Sequence, residues 1–155
     1  LGKNIEKFGK RPERNGGKRK MTKNEFKHLE TICKDAWKEL AKTGNGIKPR
    51  SLRMFINNCP ACEISMRVKD THCQNCDFCP IVLWRNKPNI GNVNCQDDDG
   101  LYWKWFNTTN VDERKEYAKQ ISKLQWKYLL RYKDVDISVC LKKWRNGKNE
   151  TFKKV

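Results

Sequence analysis

The sequence predicts a small α+β domain, mostly helical, with two long amphipathic helices and a C-terminal β-hairpin. Three observations predict it. Apolar residues recur at three- and four-residue spacing in two stretches, one after Thr22 and one after Asn110. They change to alternation at Val135, Ile137, Val139 and Leu141. Between the helical stretches, residues 58–99 show no sustained period and hold most of the cysteines. A chain of 155 residues suits a single domain, with little room for a second.

Residues 1–20 hold eight Lys or Arg against two Glu, with Gly2, Gly9, Gly16, Gly17 and Pro12 and few large apolar side chains. Such a composition does not offset the entropy of ordering, so it reads as a disordered basic tail ahead of one domain over 21–155. Thr22-Lys23-Asn24-Glu25 then forms a capping box, with Thr22 as N-cap. Phe26, Leu29, Cys33, Trp37 and Leu40 make the apolar stripe of the first long helix, and Gly44-Asn45-Gly46 stops it. On that stripe Cys33 reads as a small core residue. A short helix over 49–57 would turn Leu52, Phe55 and Ile56 inward.

After the aperiodic 58–99 region comes a dense aromatic run over 101–106, with Tyr102, Trp103, Trp105 and Phe106. Asn110 caps the second long helix, whose inner face carries Tyr117, Ile121, Leu124 and Tyr128, with Leu129 alongside. Residues 132–155 read as the hairpin, with Asn146-Gly147 as its turn and Phe152 and Val155 on the returning strand.

Six of the eight cysteines lie within residues 59–95: Cys59-Pro-Ala-Cys62, Cys73-Gln-Asn-Cys76-Asp-Phe-Cys79-Pro80, and Cys95. A CxxC knuckle turns tightly enough to aim both sulfurs at one ion about 2.3 Å away, and two knuckles complete a tetrahedron. The expected cofactor is therefore one structural Zn2+, making this a zinc-stabilised domain with 58–99 as its metal loop. Cys59, Cys62, Cys76 and Cys79 are the preferred ligands, because Cys79-Pro80 repeats the chemistry of Cys59-Pro60. Cys95, Cys73 and His72 are the alternates. Disulfides are the competing reading, but a reducing cytosol, the expected compartment for a chain with no apolar leader, does not sustain them.

Two patterns look catalytic without supporting an enzyme. His28-Leu29-Glu30 ahead of Cys59-Pro-Ala-Cys62 approaches the HxE…PCxxC signature of zinc deaminases, but Asn58 stands where a proline belongs, and Leu29 is on the helix stripe. Asp97-Asp98-Asp99 has no partner motif for magnesium chemistry and reads as a solvated turn. With no phosphate-cradling loop or nucleophile elbow, the chain is expected not to be an enzyme.

Lys and Arg number 34 against 18 Asp and Glu, a formal charge of +16. The excess lies on the flanks, since residues 59–99 hold four basic against six acidic side chains. Such a balance favours nucleic acid or an acidic protein surface as partner. Phosphate contacts are expected from Lys10, Arg11, Arg14, Lys18, Arg19 and Lys20 of the tail, from Arg85, from Lys142, Lys143 and Arg145, and from the exposed face of the second helix. Tyr102 and Trp105 around Lys104 are candidates for base stacking, although such a run more often packs as core. Trp84-Arg85 and Trp144-Arg145 sit in more polar surroundings. No run of about 18 apolar residues predicts a membrane span.

The order Cys59/Cys62, Cys76/Cys79-Pro80-Ile81, Cys95, Tyr102/Trp105 and a helix over 117–128 resembles a group of small uncharacterised cysteine-rich zinc-binding proteins encoded by bacteriophages. It covers about half the chain, and Cys73 is an extra cysteine relative to that pattern. The resemblance implies zinc binding and a phage or prophage setting, hence a bacterial host cytoplasm, and carries no activity with it. The function expected is a non-enzymatic zinc protein that binds nucleic acid with low sequence specificity. Alternatives are an interaction protein that inhibits or redirects a host or defence nucleic-acid enzyme, and a structural component of an RNA–protein or virion assembly.

Overall fold

Helix α1 (Lys23–Thr43) is the axis on which the other elements pack, as its sequence dictates. The computed structural model describes residues 20–68, 78–81, 95, 97, 100–137, 141–142 and 145. Thr22 caps α1 as expected, its Oγ1 accepting the Glu25 amide at 3.1 Å. The predicted stripe is buried, with Ile32 and Ala36 filling the gaps between Leu29, Cys33, Trp37 and Leu40. Gly44 ends the helix at φ +67°, its amide reaching Leu40 O at 2.8 Å. That left-handed conformation costs glycine nothing and other L-residues of the order of 1 kcal/mol. A Cβ at Gly44 would also lie 2.6 Å from Val111 Cγ1, so the stop is where the second long helix crosses closely.

Short helix α2 (Arg50–Arg53) and a 3-10 turn over Ile56–Asn58 replace the single helix expected over 49–57. Asn57 and Asn58 adopt positive φ and break the run. Leu52 and Phe55 still point inward, as predicted. Helix α3 (Pro60–Arg67) follows at once, inside the region read from sequence as loop. Cys59 is its N-cap and Pro60 its first residue, the position where a missing amide costs least. Glu63, buried on α3, accepts the Ile56 amide at 3.0 Å and the Arg67 guanidinium at 3.0 Å, while Arg67 also donates to Asp136 O at 3.3 Å.

The aromatic run forms helix α4 (Leu101–Asn107). Leu101 and Trp105 are buried, and Trp105 meets Trp37 edge-on at 4.9 Å. Helix α5 (Val111–Ser122) is capped by Asn110, whose Oδ1 accepts the Asp112 and Glu113 amides. It packs along α1 and against α4.

Two expectations fail beyond α5. The second helix does not run on to Tyr128, since it stops at Ser122, whose hydroxyl donates to Lys119 O at 2.6 Å. The chain then extends, with Leu124 and Trp126 buried between exposed neighbours. The predicted α+β class is also overturned, because no β-strand occurs among the described residues. Their extended pairing is one isolated antiparallel bridge, Ile81 to Trp126. Where the hairpin was expected, Leu130–Asp134 is a 3-10 turn, and Leu141 and Lys142 are helical, the Leu141 amide bonding Ile137 O at 2.9 Å. Ile137 and Leu141 are four residues apart and both buried, so helical geometry satisfies them as well as alternation would. Asn146, Gly147, Phe152 and Val155 lie outside the described residues.

Candidate metal centre and basic surface

The described candidate ligands come from three segments of the chain. The start of α3 supplies Cys59 and Cys62. Cys79 is held by its neighbours: Phe78 O accepts the Tyr132 hydroxyl at 2.6 Å, Pro80 O accepts the Lys127 amide at 2.9 Å, and Ile81 bridges Trp126. Arg131 lies over the Phe78 ring at 5.0 Å. Cys95 is tied to α4, its carbonyl accepting the Trp103 amide at 3.2 Å. These links recruit the region after α5, so the cysteine side of the molecule and its C-terminal part depend on each other.

The Cys33 and Cys62 thiols both donate toward the Cys59 sulfur. Cys59 is the thiol that takes the charge. The bonds from Cys33 and then Cys62 outweigh burial and hold it well below the usual thiol range, and the Lys48 ammonium acts in the same direction. Cys33 is pushed up, first by its bond to Cys59 and then by burial. Cys62 is pushed up by its bond to Cys59, by burial, and by negative charge on Cys59, Cys95 and Cys79. Burial, then the charge on Cys79, raises the Tyr132 phenol above its ordinary range. Cys62 therefore lies within electrostatic reach of Cys59, Cys79 and Cys95.

Among the described residues, no three His, Cys, Asp or Glu stand close enough to hold an ion. No disulfide joins the five described cysteines. The donor set nonetheless fits zinc in kind, being soft sulfur from separate segments with a thiolate already favoured at Cys59. Cys73, Cys76 and His72 lie outside the described residues, so the structure describes Cys59, Cys62 and Cys79 of the preferred four and Cys95 of the alternates.

Sequence reasoning assigned Cys33 to the core, and it is buried there, but its thiol also reaches Cys59. Its spacing fits the helix stripe, and no second cysteine near it in sequence marks the other role. Lys48 was missed as well. Its ammonium lies 4.5 Å from the Tyr102 ring centre and 5.9 Å from that of Trp37, and donates to Asn58 O at 3.2 Å. It thereby fixes the turn leading into Cys59. The deaminase-like residues lie on α1, where His28 is exposed and Glu30 pairs with Lys34 at 2.7 Å. Asp97 is exposed and its carbonyl accepts the Gly100 amide.

Of the expected phosphate-binding residues, Lys20, Lys142 and Arg145 are exposed, while Lys10, Arg11, Arg14, Lys18, Arg19, Arg85 and Lys143 lie outside the described residues. Trp84 and Trp144 do so too. The exposed face of α5 is mixed: Asp112, Glu113 and Glu116 precede Lys119, with Lys123 just beyond the helix. Lys20, Lys23, Lys127, Arg131 and Lys133 are exposed at the start of α1 and in the segment after α5, as is Asp134, and Lys23 lies over the Tyr128 ring at 5.8 Å. Among the described residues, no helix is long and apolar enough to cross a membrane. Comparison with known proteins gives no match to a family model, to a curated protein or to a solved structure.

Proposed function

We propose that this chain is a non-enzymatic zinc-binding protein of phage or mobile-element type that binds nucleic acid, mainly through phosphates and with low sequence preference. What supports the zinc is the clustered cysteine spacing, together with the electrostatic effect of Cys59, Cys79 and Cys95 on Cys62 and the absence of a disulfide among the five described cysteines. These four residues would hold the ion, which would supply a structural cross-link. Cys59 and Cys62 would join α3 to the segment at Cys79 and to the one leading into α4. Structural zinc contributes about 10 kcal/mol or more at neutral pH, enough to matter in a chain only 37% hydrophobic. The order of the cysteines and aromatics supports the phage setting.

The net charge of +16 and the exposed cations around Lys23, Lys127, Arg131 and Lys133 support phosphate contacts. Each neutralised phosphate releases counterions, so log affinity should fall linearly with log salt, with a slope of several units. Deleting residues 1–20 removes eight of the 34 cations and should make that slope shallower. Fluorescence anisotropy with a labelled oligonucleotide at several salt concentrations tests this. A slope near zero would sink the phosphate reading.

The exposed side chain of Leu130, at 79%, beside Arg131 favours a second reading, an interaction protein that grips a host or defence enzyme. A salt-insensitive complex with one such protein, surviving nuclease, would select it.

A further inference from the structure

Lys48 is a half-buried cation whose hydrogen-bond and ring partners carry no charge. Its ammonium donates to Asn57 O at 3.4 Å and to Asn58 O at 3.2 Å, and lies over the Tyr102 and Trp37 rings. Among the described residues no carboxylate pairs with it. Carbonyl dipoles and ring faces ease the desolvation of an ammonium but leave its charge unmatched. The loop that carries it is held on both sides, since Arg53 Nε donates to Lys48 O at 3.2 Å and Arg114 Nη1 to Gly44 O at 3.1 Å. Each partner of the ammonium neighbours a cysteine. Asn58 O belongs to the peptide that joins Asn58 to Cys59. Trp37 lies one turn of α1 beyond Cys33, whose thiol donates toward Cys59. Tyr102 precedes Trp103, whose amide bonds Cys95 O at 3.2 Å. One side chain thus touches α1, the start of α3 and the helix tied to Cys95.

We propose that Lys48 is the charge-compensating residue of the metal centre, a positioning residue outside the ligands that sets how tightly the thiolates hold zinc. This rests on the zinc reading above and adds what tunes that site. Zinc binds cysteine as thiolate, so four such ligands around a divalent ion leave two negative charges in excess. Cys59 is buried and Cys62 half-buried, so water screens little of that excess at this pair. A fixed ammonium beside Cys59 offsets part of it, and its charge favours the ionised form of Cys59 and of Cys33. Arg67, the cation on α3 itself, is already paired with Glu63 and bonded to Asp136 O. Lysine suits the place because its charge is a compact point on a long stem, able to reach the turn from a separate loop.

The test uses the full chain, with Zn2+ affinity read by competition against a chromogenic chelator and Co2+ as a spectroscopic stand-in. Lys48→Gln keeps a side-chain N–H for the turn carbonyls and removes the charge, Lys48→Met removes both, and Lys48→Arg keeps both. Lys48→Gln and Lys48→Met should weaken zinc binding by about 10–100-fold, while Lys48→Arg stays close to wild type. The thiolate-to-cobalt charge-transfer band should move to longer wavelength in the first two, because losing the cation raises the energy of the sulfur lone pairs, and should hold in Lys48→Arg. At saturating zinc all three should keep the wild-type helical circular dichroism. Zinc affinity in Lys48→Gln equal to wild type would overturn the proposal. So would a loss of affinity with an unmoved band, which is what a role confined to holding the turn predicts. If Lys48→Gln does not fold, Lys48→Met and Lys48→Arg decide by the same two readings. A wild type that binds no zinc sinks the zinc reading and this proposal together, whereas a zinc-binding wild type with unaffected variants sinks this proposal alone.

Discussion

Cys33 belongs to two patterns at once. Its spacing to Leu29 and Trp37 puts it on the buried stripe of α1, and its thiol bonds Cys59. The same sulfur is thus packing material and a neighbour of the candidate ligands. If Cys59, Cys62, Cys79 and Cys95 hold the zinc, Cys33→Ala should retain one metal per chain and cost about 1 kcal/mol for the lost contact. Cys59→Ala should abolish metal binding. Metal analysis of the purified variants separates the cases, and loss of zinc in Cys33→Ala would make Cys33 a ligand in place of one of the four. The CxxC spacing made Cys59 and Cys62 legible in sequence, whereas Cys95, 33 residues beyond Cys62, had only its membership of the cluster to suggest it. Nothing in the sequence joined Cys33 to that group, because proximity across α1 and α3 is a tertiary fact.

Helix α1 was readable from end to end, because cap, stripe and stop all agree locally. Its stop also serves the contact with α5. Gly44→Ala would have to hold φ near +67° and place a methyl 2.6 Å from Val111 Cγ1, unless that side chain moves. The expected loss is about 1–3 kcal/mol, visible as a melting point several degrees lower in a thermal scan. A midpoint equal to wild type would mean that the α1–α5 crossing relaxes freely. After α5 the sequence carries two periods at once. Ile121, Leu124 and Tyr128 suit a helix, while Leu124, Trp126 and Tyr128 suit an extended chain, and both sets share two members. Ending the helix at Ser122 lets Trp126 reach Ile81 and Phe26, which a continued helix would not place together. Further on, alternation over 135–141 mimicked a strand, although Ile137 and Leu141 also satisfy helical spacing. Short apolar runs carry both periods, and the tertiary partner decides between them.

Across the described residues, one apolar core runs over both sides of α1, but its outlying segments differ in what holds them. Toward α4 and α5 it buries Trp37 and Leu40 with Leu101, Trp105, Ala118 and Ile121, and each such large apolar side chain contributes about 1.5–3 kcal/mol. Toward α3 the same apolar core continues through Ala61 and Ile64 beside Cys33, Cys59 and Cys62, while the segments at Cys79 and Cys95 add little apolar bulk beyond Ile81. Metal would therefore matter unequally. Treating the protein with a strong zinc chelator should expose amides of α3 and of residues 78–81 to hydrogen exchange while those of α1 and α5 stay protected. Circular dichroism should keep much of its helical signal. The Tyr132–Phe78 bond and the Ile81–Trp126 bridge predict that residues 126–132 loosen with the metal side and not with the helices. A single cooperative loss of all helical signal would mean that the apolar side cannot stand without the ion. Unchanged exchange in α3 would mean that the thiols hold no structural metal at all.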